Sequence, residues 1–204
     1  MSNTLPPMNT VILITGYARA GKDTLADGIA LGASHPVVHL NFADTLKQAC
    51  DAYMQSLDIG GAGATRTFRN EAFKVAHRRF LVEAGTFARS LDTDVFALAF
   101  ARQCNLIWRN AQNNNLGLNT TIVCSDWRYL NEWTIVNEVL GRAGWRVFTV
   151  QISTAGVEAA NEEEGKSIGE ILRNVSTHLN YGFQPEHKQA IINEGKTLAR
   201  QIGI

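Results

Sequence analysis

The chain has 204 residues, with 19 basic and 19 acidic side chains and no formal net charge. That length suffices for one domain with a sizeable core. The charge balance excludes the basic excess of a nucleic-acid coat or a membrane-surface protein, and no apolar run reaches the ~18 residues of a membrane span. A small phosphorylated ligand, which needs only a local positive pocket, fits better than nucleic acid or membrane. Residues 1–9 lack the basic start and apolar stretch of a secretion signal, so a cytoplasmic chain is expected. Cys50, Cys104 and Cys124 are odd in number, match no metal spacing and lie in apolar or helical contexts. They read as reduced core residues of a cytosolic protein.

Val11-Ile12-Leu13-Ile14 is the apolar, β-branched run of a buried parallel strand. It turns on Gly16, reaches Gly21-Lys22 and enters a helical stretch at residues 25–31. Strand, glycine loop, lysine and helix in that order make a phosphate cradle. Glycines let the backbone approach a phosphate without a Cβ clash. The loop N–H groups and the helix N-terminus then point positive charge at it, and Lys22 adds a mobile point charge. The general motif has Ser or Thr after the lysine, where the hydroxyl meets Mg²⁺. Here Asp23 stands there and Thr24 follows, which leaves the metal contact open among Asp23, Thr24 and water.

Residues 37–42 read as a second strand, and residues 43–54 as a helix with Leu46, Ala49, Cys50 and Tyr53 on one face. Residues 56–65 contain Gly60-Gly61-Ala62-Gly63 and read as a loop. Residues 71–91 have a helical period, with a stripe of Phe73, Ala76, Phe80, Ala84, Phe87 and Leu91. Gly85 predicts a break or close packing there. A further helix is expected over about 94–110 and a third strand over 120–125. A helix follows that turns Trp133, Val136 and Leu140 inward and stops at 141–144; a fourth strand covers 145–152. Beyond residue 153 the signals weaken. The run Glu162-Glu163-Glu164 reads as a solvated face. Ala190-Ile191-Ile192-Asn193 is taken as a fifth short strand, with a terminal helix over 194–204. Strands alternating with helices predict a three-layer α/β fold around a mostly parallel sheet of five strands, with helices on both faces.

Three constellations carry chemistry. Asp126 ends the third strand, where ligands of open α/β sheets sit, and a carboxylate there can hold Mg²⁺; the alternative is a cap on the next helix. Arg128 could grip a phosphate, and its place in the first turn of a helix is a poor one for a cation. Arg89, just after Gly85, could hold an acceptor phosphate bidentately or merely favour a helix C-terminus. Asp44 and Lys47, at the end of the second strand, could reach an acceptor or simply start a capped helix. Arg66, Arg69, Arg78 and Arg79 form either a positive rim or solvated helix faces.

Several of these pieces together resemble one family. Residues Gly16, Tyr17, Ala18, Arg19, Ala20, Gly21, Lys22, Asp23 and Thr24, then Phe42-Ala43-Asp44-x-Leu46-Lys47, are followed by Gly85-Thr86-x-x-Arg89. Asp126-x-Arg128-x-x-Asn131-Glu132 and Ile192-Asn193-x-Gly195-x-x-Leu198 complete the order seen in the deoxynucleoside monophosphate kinases of bacteriophages. The resemblance implies a P-loop NTPase fold and transfer of the γ-phosphate of ATP to a (deoxy)nucleoside monophosphate, with Mg²⁺ as cofactor. It implies ATP on residues 16–24, metal on Asp23, Thr24 or Asp126, and the acceptor on Asp44, Lys47, Arg89, Asp126 and Arg128. It also implies a core of about 8–42, 93–152 and 188–204, an acceptor-binding insertion of about 43–92 and a lid of about 153–187. A homodimer and a cytoplasmic location, the host's if phage-encoded, belong to the same expectation.

The chain departs from the pattern in two places. Ser153-Thr154-Ala155 stands where the family usually has an arginine, and the lid segment is reduced to His178-Leu179-Asn180-Tyr181. Arg173 is the one arginine of the lid stretch, so either it or Arg19 would stabilise the transferring group, beside Lys22, Arg128 and Arg89. Two other readings stay open: a P-loop kinase of another small phosphorylated acceptor, similar to phosphomevalonate kinases, and a nucleotide-binding regulator with weak or no catalysis.

Overall fold

The computed structural model describes residues 9–57, 66–114, 119–184 and 187–204. Five strands, β1 (Thr10–Thr15), β2 (Val37–His39), β3 (Thr121–Cys124), β4 (Arg146–Thr154) and β5 (Leu179–Phe183), form one sheet in the order β2-β3-β1-β4-β5. Every pairing is parallel. β1 lies in the middle and is buried along its whole length. A strand covered on both faces needs that unbroken apolar run.

Among the described residues eight helices accompany the sheet: α1 (Lys22–Gly32), α2 (Phe42–Ser56), α3 (Glu71–Ala76), α4 (Arg78–Leu91), α5 (Val95–Asn113), α6 (Leu130–Arg142), α7 (Glu162–Asn174) and α8 (Lys188–Ile202). Alternate side chains of β1 divide between two cores. Val11 and Leu13 join Phe100 and Cys104 of α5, Val136 and Leu140 of α6, and Ile171 of α7. Ile12 and Ile14 join Leu25 and Ile29 of α1 and Leu198 of α8. The result is the expected α/β sandwich of helix, sheet and helix. α1 and α8 touch almost backbone to backbone: a Cβ on Gly195 would stand 2.6 Å from the Leu25 carbonyl oxygen. The three cysteines are buried and free, as expected.

Between β2 and β3 the chain makes a satellite core of its own. Cys50, Met54 and Phe68 are buried there, with Leu46, Phe73, Leu81 and Ala84 against them. On α2 the inward face is Phe42, Cys50 and Met54, while Tyr53, expected on it, is 55% exposed. The long helix expected over 71–91 is broken at His77, which ends α3 and precedes α4. Gly85 marks close packing rather than the break: it is buried, and a Cβ there would meet Leu46 Cδ2 at 3.1 Å. The break resets the helical phase. Leu81 therefore joins Phe73 and Ala84 of the expected stripe on the inward side, and Phe87 and Leu91 of that stripe face solvent at 66% and 74% exposure.

The fifth strand is also elsewhere than expected. Leu179–Phe183 pairs with β4, and residues 190–193 lie inside α8. Ile191, Gly195, Leu198 and Ala199 are its buried residues, a helical spacing that the short apolar run at 190–193 concealed. Leu179, Tyr181 and Phe183 carry instead the two-residue alternation of a strand. The weakly patterned stretch from residue 153 thus holds one helix and an edge strand of the sheet. Of the loop expected at 56–65, residues 58–65 lie outside the described residues.

Candidate functional site

β1 ends at the glycine loop, and the loop's shape depends on three left-handed residues: Gly16 at φ 146°, Arg19 at φ 68° and Gly21 at φ 91°. Arg19 is the one non-glycine among the described residues with positive φ, a conformation that costs a side chain free energy and is retained where the surroundings demand it. The loop is closed by Ala20 N–H donating to the Tyr17 carbonyl at 3.1 Å. The Thr154 hydroxyl, from the end of β4, donates to the Ala20 carbonyl at 3.0 Å.

Lys22 opens α1 with its side chain folded under this loop. It is 9% exposed and donates to the carbonyls of Gly16 at 2.7 Å and Tyr17 at 2.8 Å. Burial holds its pKa below the ordinary ammonium value, and the like charge of Arg128 lowers it further. Glu164, Asp23 and Asp126 push the other way. Because β3 pairs directly with β1, the segment after β3 comes beside the loop. Lys22 and Arg128 thus come from adjacent strand ends, with Asp23, Asp126 and Glu164 around the lysine.

The same neighbours settle the carboxylates. Ser125 Oγ donates to Asp23 Oδ1 at 2.5 Å, and its N–H donates to Asn41 Oδ1 at 2.9 Å. Asp126 accepts from Phe42 N–H at 2.8 Å and Ala43 N–H at 3.0 Å, one on each oxygen, and the Cys124 thiol donates to it as well. Asp126 therefore caps α2, not the helix that follows it. Each of its carboxylate oxygens accepts one N–H of that N-terminus. Asp23 is exposed at the loop with one hydrogen bond, from Ser125, and Thr24 stands next to it half-buried. No group of three or more metal-binding side chains occurs among the described residues. Mg²⁺ characteristically takes one or two protein ligands and completes its shell with phosphate and water, so Asp23 and Thr24 suit it.

Arg89 is a fixed cation rather than a loose helix end. Its guanidinium lies 4.8 Å from the Phe96 ring centroid and 4.6 Å from that of Tyr129. Two aromatic faces hold a planar cation in place while leaving its N–H edge to other partners. Tyr129 is in turn set by Glu132, whose Oε2 accepts from Arg128 N–H at 2.9 Å and Tyr129 N–H at 3.0 Å. Glu132 is 4% exposed, and burial pushes its carboxyl up to about 8 against the pull of those two N–H groups. The segment from Ser125 to Glu132 thus places Arg128 and, through Tyr129, Arg89.

Asp44 and Lys47 are paired with each other at 2.8 Å, and Asp44 also accepts from Asn41 N–H at 2.9 Å. Asp44 is the third residue of a capping box and Asn41 is the cap, so the helix-start reading accounts for both side chains. Arg66, Arg69, Arg78 and Arg79 are exposed, and Arg79 pairs with Glu83. Arg173 is exposed near the C-terminal end of α7. It lines a groove of about 730 Å³ between Tyr129 and α7, together with Lys166 and Ser167.

Three residues of the site escaped the reading of the sequence. Ser125 and Tyr129 flank recognisable residues but belong to no motif of their own. Glu164, expected with its neighbours to be solvated, is 6% exposed and accepts from Ala18 N–H of the loop at 3.1 Å. The signal was Asn161 three residues before it, the spacing of a capped helix start, and Asn161 Oδ1 does accept from Glu164 N–H.

No protein-family model matches this sequence, and neither does any curated protein sequence. Solved structures that match include a cysteine-to-alanine variant of the APS kinase of Mycobacterium tuberculosis, at 13% identity over 98% of this chain and 100% of that one, with a TM-score of 0.42. The same APS kinase in complex with AMPPNP and APS matches at 15% identity over 98% and 100% of the two chains, with a TM-score of 0.41. A sugar kinase from a Janibacter species matches at 12% identity over 94% of each chain, with a TM-score of 0.43. At such scores these likenesses carry no weight in assigning an activity or a substrate.

Proposed function

We propose that the chain is a phosphotransferase that moves the γ-phosphate of ATP to a (deoxy)nucleoside monophosphate. One observation carries the reading: the segment that follows β3 meets the glycine loop directly, its Ser125 hydroxyl donating at 2.5 Å to Asp23 next to Lys22, with Arg128 three residues further on. A phosphate loop met by the segment that carries Arg128, with Arg89 fixed against Tyr129 of that same segment, suits a donor and an acceptor better than a single bound nucleotide.

In this reading the loop N–H groups and Lys22 hold the β- and γ-phosphates of ATP. The acceptor phosphate lies on Arg89 and Arg128. One of its oxygens attacks the γ-phosphorus, the new P–O bond forms opposite the bond to the bridging oxygen, and ADP leaves as that bond breaks. No protein nucleophile is needed; the arginines and Lys22 neutralise the charge spreading over the transferred group. Mg²⁺, when bound, neutralises β- and γ-oxygens, and Asp23 and Thr24 are the residues that would hold it. The lid role narrows to α7 and its flanks, because β5 belongs to the sheet. Arg173 and Lys166 on α7 are its cations, and closing α7 over the cleft would keep water from accepting the phosphoryl group.

The test is an acceptor screen. ATP and Mg²⁺ are offered with each common nucleoside and deoxynucleoside monophosphate in turn, and ADP release is followed. At least one nucleotide should turn over, and Lys22→Ala should abolish that turnover with the circular dichroism spectrum unchanged. Binding of ATP without turnover on any nucleotide would overturn the nucleoside monophosphate assignment.

A further inference from the structure

Glu164 is a carboxylate placed where a phosphate loop offers its N–H groups. One oxygen accepts from Ala18 N–H of the loop at 3.1 Å, and the other from Ala160 N–H at 2.7 Å. Its own N–H is held by the cap Asn161 at 2.8 Å, so the side chain starts from a fixed backbone. It is 6% exposed and close enough to Lys22 to raise that lysine's pKa. The preceding residue, Glu163, accepts from the Tyr129 hydroxyl at 2.7 Å, and Tyr129 is the ring that holds Arg89. Two consecutive carboxylates thus tie the first turn of α7 to the loop on one side and to the Arg89 cluster on the other.

A buried carboxylate and a phosphate cannot share the loop without repulsion. At ~4 Å two unit charges oppose each other by about 1 kcal/mol even in water, and by more where water is scarce. We infer that Glu164 is an anionic latch: it competes with phosphate for the loop, and phosphate binding there displaces it and frees the first turn of α7. The inference rests on the phosphate-loop reading of residues 16–24. The latch couples occupancy of the loop to the position of α7, because the group displaced is the one that pins the helix.

The test uses the full chain and inorganic tripolyphosphate, with binding measured by calorimetry and amide hydrogen exchange followed over residues 160–168. Glu164→Gln keeps an acceptor for Ala18 N–H and removes the charge. It should bind tripolyphosphate roughly fivefold or more tightly than the wild type, from the repulsion relieved. Glu162→Gln, on an exposed residue paired only with Lys166 at the surface, should leave the affinity within about twofold. In the wild type, tripolyphosphate should speed exchange over 160–168. Unchanged or weaker binding by Glu164→Gln, or exchange that slows in the wild type, would overturn the latch while leaving the phosphate loop intact. Absence of binding by both wild type and Glu164→Gln would overturn the phosphate-loop reading and the latch with it. Binding by Glu164→Gln alone would support both.

Discussion

At the scale of single residues, the site turns on which charges have a fixed partner and which do not. Asp126, Asp44 and Lys47 are each bound into a helix start, whereas Arg128 is exposed and Arg89 lies between two ring faces. That contrast predicts a division of labour. Arg89→Ala should raise the acceptor KM about tenfold or more, the worth of a charged hydrogen bond, with a smaller change in kcat and in the KM for ATP. Arg89→Lys should recover little of the loss, because an ammonium has neither the planar fork nor the stacking surface. If the acceptor KM stays within twofold in both variants, Arg89 serves only the end of α4. Glu132 supplies a second prediction, with a definite sign. Its carboxyl sits near 8 in the fold against 4.5 unperturbed, so between those values the folded state holds a proton the unfolded chain has released. Its contribution to stability is therefore fully present below about 4.5 and is lost as pH rises towards about 8. Relative to Glu132→Gln, which cannot titrate, the wild type should lose stability steadily across that window in urea unfolding at a series of pH values. A difference between the two that does not vary with pH would mean that Glu132 titrates normally.

At the scale of elements, α1 packs on α8 with almost no room between their backbones. Gly195→Ala would drive a Cβ to 2.6 Å from the Leu25 carbonyl, and backbone cannot give way as a side-chain tip can. The expected cost is about 1–3 kcal/mol, read as a fall in Tm, which is the usual range for overpacking. Gly141→Ala is the control: it lies in α6 with nothing within 4 Å of its added Cβ, so it should be neutral or raise stability by up to about 1 kcal/mol. The same helix pair shows where a single sequence stops informing. β1 and its loop were legible because burial on both faces and the glycine spacing leave local marks that few alternatives share. The helix α8 was misread because Ile191-Ile192 satisfies a strand pattern over four residues, and only the partners Gly28 and Leu25 on α1 make the helical spacing decisive. The break at His77 was invisible for a similar reason. No glycine or proline marks it, and on its two sides Phe73 of α3 and Leu81 of α4 both pack against the satellite core. Arg89 could be named from its place after Gly85, but the rings of Phe96 and Tyr129 that hold it come from separate elements.

At the scale of the whole molecule, the sheet order decides how the two halves of the site meet. β1 is flanked by β3 and β4, and parallel pairing brings their carboxyl ends to one edge. The loop after β1, the Ser125–Glu132 segment after β3 and the Thr154 anchor at the end of β4 therefore face the same cleft, with α7 tied across it by Glu163 and Glu164. A ligand carrying both nucleosides on one phosphate chain would engage both sides at once, and its second contact would be intramolecular. A dinucleoside pentaphosphate matched to the accepted base should then raise Tm more than saturating ATP and the monophosphate do separately at the same concentration. Each variant should reduce that gain from its own side. Lys22→Ala should leave a shift no larger than the monophosphate gives, and Arg89→Ala one no larger than ATP gives. A pentaphosphate that stabilises the wild type only as much as ATP alone would mean that the two guanidinium positions do not face the loop across one cleft, and transfer between them would have no geometric basis.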